Sequence, residues 1–243
     1  MSGGGSYIDA HGYHLTASST ANRRLYRLLF SSGNVWAMNL DTTDTTNPAN
    51  WKLLPSNGVN QHVVNAIEFF PERNCLMMLT SDGGNVREFR EATQTWHLVT
   101  PPGNNLGSTW NWIVYNPALG ECLFGSRTNE IWIYHANGTW MKKSDTPPMC
   151  RSYDGSGFTG LWTVDPASGL YLVLTDPTNG TGRNLYTYNS ATDAYALAAA
   201  QLPAKKLNGS IIACPVPEAG VVMFAWGVGS GGGSTGVYLY KHG

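Results

Sequence analysis

The side chains best suited to chemistry fall into three sets. Asp9-Ala-His11-Gly-Tyr-His14 gathers three possible metal ligands in one short stretch. A divalent cation would need a further ligand and a rigid frame, which a terminal segment rarely gives, so no metal is expected there. The other histidines, at 62, 97, 135 and 242, show no ligand spacing. The second set is acidic. Glycoside hydrolysis needs two carboxylates facing each other across about 5–9 Å. Glu68 and Asp165 lie in or beside apolar, strand-prone runs, while Asp82, Asp154 and Asp176 sit in polar loops that would have to converge. Third, Gly227-Val-Gly229-Ser-Gly-Gly232 matches G-x-G-x-x-G, but a dinucleotide site needs a helix next, and Val237-Tyr-Leu-Tyr240 reads as a strand. No nucleophile elbow, zincin, phosphate-loop or Cys–His signature stands beside these. Residue type and spacing therefore assign no catalytic residue, cofactor or metal.

Composition narrows the class. Charged residues make up 13% of the 243, about half the roughly 25% of ordinary soluble domains. Apolar residues reach 42%, enough for a core and too many for charge-driven disorder. A formal net charge of −1 supplies no basic field for a phosphate backbone, which argues against nucleic acid as a partner. The longest unbroken apolar run, residues 194–200, falls far short of the roughly 20 residues of a membrane span. The opening Met-Ser-Gly-Gly-Gly-Ser has neither the basic nor the apolar region of a signal peptide. The cysteines at 75, 122, 150 and 214 form no C-x-x-C pair, and Cys75 and Cys122 each open an apolar run, as buried free thiols do. No disulfides are expected, and a reducing compartment or a virus particle is the expected setting.

A proline turn organises the rest. Phe70-Pro71-Glu-Arg-Asn74, Asn116-Pro117-Ala-Leu-Gly120, Asp165-Pro166-Ala-Ser-Gly169 and Val216-Pro217-Glu-Ala-Gly220 recur at spacings of 46, 49 and 51 residues. Proline fixes φ and the closing Asn or Gly tolerates positive φ, so each reads as a hairpin between two strand-prone runs, such as Leu161-Trp-Thr-Val164 and Tyr171-Leu-Val-Leu174. A third strand follows in five copies: Val35-Trp-Ala-Met38, Val86-Arg-Glu-Phe89, Ile131-Trp-Ile-Tyr134, Leu185-Tyr-Thr-Tyr188 and Val237-Tyr-Leu-Tyr240. A short fourth carries an aromatic, at Trp51, Trp96, Trp140 and Tyr195. Four strands every ~50 residues, five times over, is the pattern of propeller blades.

The apolar second, aromatic third and Trp-bearing fourth strands resemble a degenerate kelch-type propeller, related to the central domain of galactose oxidase, over roughly positions 13–240. The family's glycine doublet stands once, as Gly83-Gly84, and its copper ligand set of Tyr and His has no assignable counterpart. Kelch propellers usually have six or seven blades, and five are counted here. The expected fold is all-β: one domain over residues 1–243, a five-bladed β-propeller of four-stranded antiparallel blades at roughly 13–55, 62–101, 108–147, 158–203 and 208–243. Ser6-Tyr-Ile-Asp9, within residues 5–10, is expected to complete the last blade, since closure removes exposed sheet edges. An open three-stranded last blade and a place in a larger ring are the alternatives.

In such blades the loops joining strands two and three, and one blade to the next, gather on one face. His62, Asn104, Trp110, Trp112, Arg151, Tyr153, Asp154, Phe158 and Arg183 are the candidate binding residues there, with aromatic faces and directional donors suited to a glycan or protein partner. Turn chemistry alone accounts for the Asn and Gly of any single loop. Their grouping on one face favours a surface. The Asn-Gly-Ser/Thr triplets at Asn137, Asn179 and Asn208 read as tight turns. The expected function is non-enzymatic, a binding or scaffold propeller for a glycan or protein, with a homo-oligomer or larger assembly compatible. Low charge and Gly/Ser/Thr/Asn richness also fit a structural or receptor-binding component of a virus particle. The competing class is a glycoside hydrolase or lyase on the same fold.

Overall fold

The computed structural model describes residues 14–29, 33–42, 44, 47–58, 65–81, 83–101, 103, 106, 111–151, 160–175, 183–202, 211–226 and 236–242. They build five antiparallel sheets, each a simple meander. Blade 1 holds β1 (Thr16–Ser19), β2 (Arg24–Leu28), β3 (Val35–Asn39) and β4 (Trp51–Leu53). Blade 2 holds β5 (Ala66–Phe70), β6 (Cys75–Leu79), β7 (Val86–Arg90) and β8 (Thr95–Leu98). Blade 3 holds β9 (Trp112–Asn116), β10 (Glu121–Gly125), β11 (Ile131–His135) and β12 (Trp140–Lys142). Blade 4 holds β13 (Gly160–Val164), β14 (Tyr171–Thr175), β15 (Arg183–Asn189) and β16 (Ala194–Leu202). Blade 5 shows three strands among the described residues, β17 (Ile211–Val216), β18 (Val221–Trp226) and β19 (Gly236–Lys241). The expected closing strand, residues 5–10, lies outside the described residues.

The proline turns form as their chemistry dictates. Pro71 and Pro217 open short 3-10 turns that close in the left-handed region, at Asn74 with φ +48° and Gly220 with φ +61°. Strand alternation then sends successive side chains to opposite neighbours. Ile67 and Phe69 of β5 pack toward blade 1, whereas Ala66 and Phe70 pack toward blade 3. Four apolar clusters join blade to blade in this way, from blade 1 through to blade 5. The second strands β6, β10 and β14 are covered on both faces, so every residue in them is buried. That is why they read as unbroken apolar runs such as Cys-Leu-Met-Met-Leu rather than as alternation.

The fourth-strand aromatics latch the blades. Trp96 and Trp140 donate their indole N–H groups to the carbonyls of Pro55 (2.9 Å) and Val99 (2.7 Å) in the preceding inter-blade connections. Their rings lie on Phe89 and Tyr134, with centroids 5.1 and 4.5 Å apart, and Tyr195 lies on Tyr188 at 4.5 Å. The Tyr115 hydroxyl donates to Glu72 at 2.7 Å, and the Asn116 amide to the Gly169 carbonyl at 2.8 Å, across neighbouring blades. All four cysteines are free, with Cys75, Cys122 and Cys150 buried and Cys214 exposed. No described helix is long and apolar enough to cross a membrane.

Candidate functional site

A meander of four strands sends its odd and even connections to opposite ends. At one end lie the four-residue turns 20–23, 71–74 and 117–120. At the other, the connections between blades run from 54 to 65, from 99 to 111 and from 143 to 159. The inner strands also begin at this loop-bearing end, and each pairs on one side only, leaving its second edge toward the axis.

Those edge backbone groups require partners. The His14 carbonyl accepts the Ile67 N–H of β5 at 2.8 Å, and the His14 ring hydrogen-bonds the backbone of Ile113 on β9. Glu68 accepts its neighbour's N–H, from Phe69, at 2.9 Å and also bonds the backbone of Tyr115. Residues 113 and 115 are about 7 Å apart along an extended strand. His14 and Glu68 therefore lie along one edge of β9. Desolvation dominates both groups. It lowers the His14 pKa to about 4 and raises that of Glu68 to about 7. At neutral pH the imidazole is uncharged and the carboxyl divides between acid and anion.

Two asparagines flank the pair. Asn65, just before β5, accepts the Ser81 N–H at 2.6 Å and so ties down the β6–β7 loop. Asn111, just before β9, is 1% exposed, and neither atom of its amide has a hydrogen-bond partner in the described structure. A buried group left so costs about 1–3 kcal/mol, and such groups in native proteins call for an explanation. The sequence does carry a signal: Asn65 and Asn111 each stand immediately before an inner strand, and polar His14 two residues before β1. Spacing alone does not single out the two asparagines, which stand at strand starts and belong to no ligand or catalytic motif.

Of the expected binding residues, His62, Asn104, Trp110, Tyr153, Asp154 and Phe158 lie outside the described residues. Trp112 is placed in the core instead of on the rim: it is 3% exposed and stacks on Trp162 at 4.4 Å between blades 3 and 4. As the first residue of β9 its side chain takes the face turned to blade 4, against Gly125, and its role there is packing. Arg183 opens β15 and is 1% exposed. Arg151 is half-buried, and its carbonyl closes on Gly160 so tightly that an added Cβ would lie 2.6 Å away.

Among the candidate acids, Asp165 is fully buried and serves its turn, accepting from the Ala167 N–H (3.0 Å) and the Ser168 hydroxyl, with His242 at 3.4 Å. It stands at the tight-turn end of β13, whereas Glu68 is the middle residue of β5. Asp82, Asp154 and Asp176 lie outside the described residues, as do Asp9 and His11. Among the described residues no three His, Cys, Asp or Glu side chains gather as a metal site would need.

No protein-family profile matches the chain, and no curated protein matches it in sequence. Solved structures do resemble it. TolB from Acinetobacter baumannii aligns with a TM-score of 0.50 and 14% identity, over 86% of this chain and 50% of TolB. A protein proposed to be a gluconolactonase aligns with a TM-score of 0.54 and 13% identity, over 95% of this chain and 76% of that one. The chain thus spans half the length of TolB. At such identities the likeness is one of fold, and the fold is a β-propeller of five blades in this chain.

Proposed function

We propose that residues 1–243 act as one non-enzymatic binding or scaffold propeller of degenerate kelch type, which offers its loop-bearing end to a glycan or a protein. The observation that carries this reading is the asymmetry of the two ends: short turns at one, apart from the β3–β4 connection at 40–50, and long polar-aromatic connections at the other. The unpartnered Asn111 amide supports it, because it holds a donor and an acceptor at that same end where an apolar side chain would be more stable. His62, Asn104, Trp110, Arg151, Tyr153, Asp154 and Phe158 are the proposed contacts, with aromatic faces for sugar rings or apolar side chains and polar groups for direction. Arg183 would act from beneath, as a support for the surface.

The test is a broad glycan array run beside light scattering. Specific signal that falls at least tenfold in Trp110→Ala or Tyr153→Ala supports glycan binding. A silent array with a stable oligomer favours a protein partner or an assembly, including a virus-particle role. A silent array with a monomer counts against the reading. A second reading, glycoside hydrolase or lyase chemistry, draws on Glu68, whose desolvated carboxyl is poised near neutrality for proton transfer. The fold likeness to a proposed gluconolactonase adds lactones to the panel of trial substrates. Turnover abolished by Glu68→Gln would favour it over binding alone.

A further inference from the structure

At the loop-bearing end, the interfaces between neighbouring inner strands are not filled alike. Counted back from the turn prolines, Asn111, Gly160 and Ile211 occupy the same place in blades 3, 4 and 5. Strand alternation turns each toward the preceding blade, as it turns Ile113 and Trp162. From that blade comes the first residue of its inner strand: Ala66 toward Asn111, Trp112 toward Gly160 and Leu161 toward Ile211. Trp112 fills its interface by stacking on Trp162, and Leu161 packs with Ile211 in one apolar cluster. Ala66 brings a single methyl group. Of these three pairs, Ala66 with Asn111 presents the least side chain, and it is the pair that holds an amide.

That amide is left unanswered. Asn65, its counterpart one blade back, has its oxygen taken by the Ser81 N–H at 2.6 Å. Asn111 is just as buried, yet its Nδ2 donors and Oδ1 acceptor have no partner. Ala66, Leu79, Leu106 and Ile113 of the cluster between blades 2 and 3 give the crevice apolar walls. His14 marks its inner side. The carbonyl of His14 accepts the Ile67 N–H at 2.8 Å and its ring bonds the backbone of Ile113, two residues from Asn111. His14 holds this place in the left-handed region, at φ +46°, where residues other than glycine are uncommon.

The chemistry of a guest follows from these walls. It must present a donor and an acceptor side by side to answer the amide, and hydrocarbon to meet Ala66 and Leu106. It must also be uncharged. Burial drives both ionisable groups beside this edge of β9 toward their neutral forms, His14 downward and Glu68 upward, and would penalise an ionic guest in the same way. A sugar residue combines vicinal hydroxyls with an apolar ring face and carries no charge. We propose that the crevice between β5 and β9 seats one uncharged sugar residue, whose one hydroxyl donates to Asn111 Oδ1 while its vicinal neighbour accepts from Nδ2. This inference rests on the binding reading above and narrows it to the neutral end of a glycan, with uronate and amino-sugar ends refused.

The test titrates the full chain, at millimolar ligand, with the methyl glycosides of glucose, galactose and mannose and with their uronate and amino-sugar counterparts. At least one neutral glycoside is expected to bind, and its charged counterparts to bind at least tenfold more weakly. Asn111→Leu should lose that binding at least tenfold while its thermal midpoint stays at or above the parent's. A second measurement needs no folded variant: the Asn111 side-chain amide signals of the parent, assigned by amide-specific labelling, should move on titration with the neutral glycoside. Binding that survives Asn111→Leu, or amide signals that stay in place, overturns this site and leaves the loop-bearing face standing. Equal binding of the charged counterparts overturns the selection for neutral residues and the proposal with it. Signal on the glycan array without binding of any neutral glycoside overturns the proposal alone. Silence of both array and glycosides, with a monomer in solution, overturns the binding reading as well.

Discussion

Glu68 and His14 oppose each other in pH, and the two slopes can be separated by one substitution. The folded-state pKa of Glu68 is raised to about 7, so its neutral form is favoured. Its contribution is complete below the ordinary carboxylate range and is lost as pH rises through about 7. His14 is lowered to about 4, so its contribution is present above its ordinary 6.5 and is lost as pH falls through about 4. Between these limits the contributions offset, and above pH 6.5 only the loss from Glu68 remains. Glu68→Gln keeps an acceptor for the Phe69 N–H and cannot ionise. It should match the parent at pH 4.5 and exceed it at pH 8 by about 2 kcal/mol, read from urea midpoints; parallel profiles would remove Glu68 as the cause. Asn111→Leu asks a different question. If its amide is kept for a ligand, an apolar isostere should raise stability by about 1 kcal/mol and weaken any binding found on the array. A loss of stability would mean that the amide has a structural partner. At this scale the sequence set out Glu68 only as a carboxylate for the competing hydrolase class and His14 only within a metal-ligand set not expected to bind, because residue type says nothing of which strand edge a side chain will cap.

At the scale of the element the sequence was far more informative. Each proline turn and each strand-prone run quoted from the sequence forms as a turn and a strand, since proline, positive φ and alternation act locally. Facing was harder to read. Whether Trp112 points to solvent or to blade 4 depends on where β9 starts, and a shift of one residue reverses every side chain of a strand. Trp112 belongs to β9, so its ring is inside and leans on Gly125. A Cβ at Gly125 would lie 2.1 Å from the Trp112 ring, with Trp162 stacked behind that ring and no room for it to retreat. Gly125→Ala is therefore expected to destabilise by at least about 2 kcal/mol, visible as a lower thermal midpoint and altered Trp fluorescence; a neutral effect would show that the two indoles are not packed this way. The latch is milder. Trp140→Phe keeps the ring on Tyr134 but loses the bond to the Val99 carbonyl, for about 1 kcal/mol in a denaturant titration.

At the scale of the molecule, the five-fold repeat made the architecture readable from sequence, because each unit repeats the same local rules. What the repeat could not disclose is how unequal the units are. Blades 2, 3 and 4 are covered on both faces, whereas described blade 5 packs only on blade 4, through Leu161, Leu172, Val222 and Phe224. A chain of blades joined by nearest-neighbour interfaces gains stability interface by interface, so a defect at its end and one in its middle should spread differently. Phe124 lies in the cluster between blades 2 and 3, and Phe224 in the one between blades 4 and 5. Truncating either to Ala removes about 3–5 kcal/mol of packing. Phe124→Ala should lower hydrogen-exchange protection in blades 2, 3 and 4 together. Phe224→Ala should open β17, β18 and β19 and leave β6 and β10 at parental rates. If Phe224→Ala instead loosens all five blades equally, the terminal blade is held as firmly as the central ones, and the seam between blades 5 and 1 must carry an interface as large as the other four.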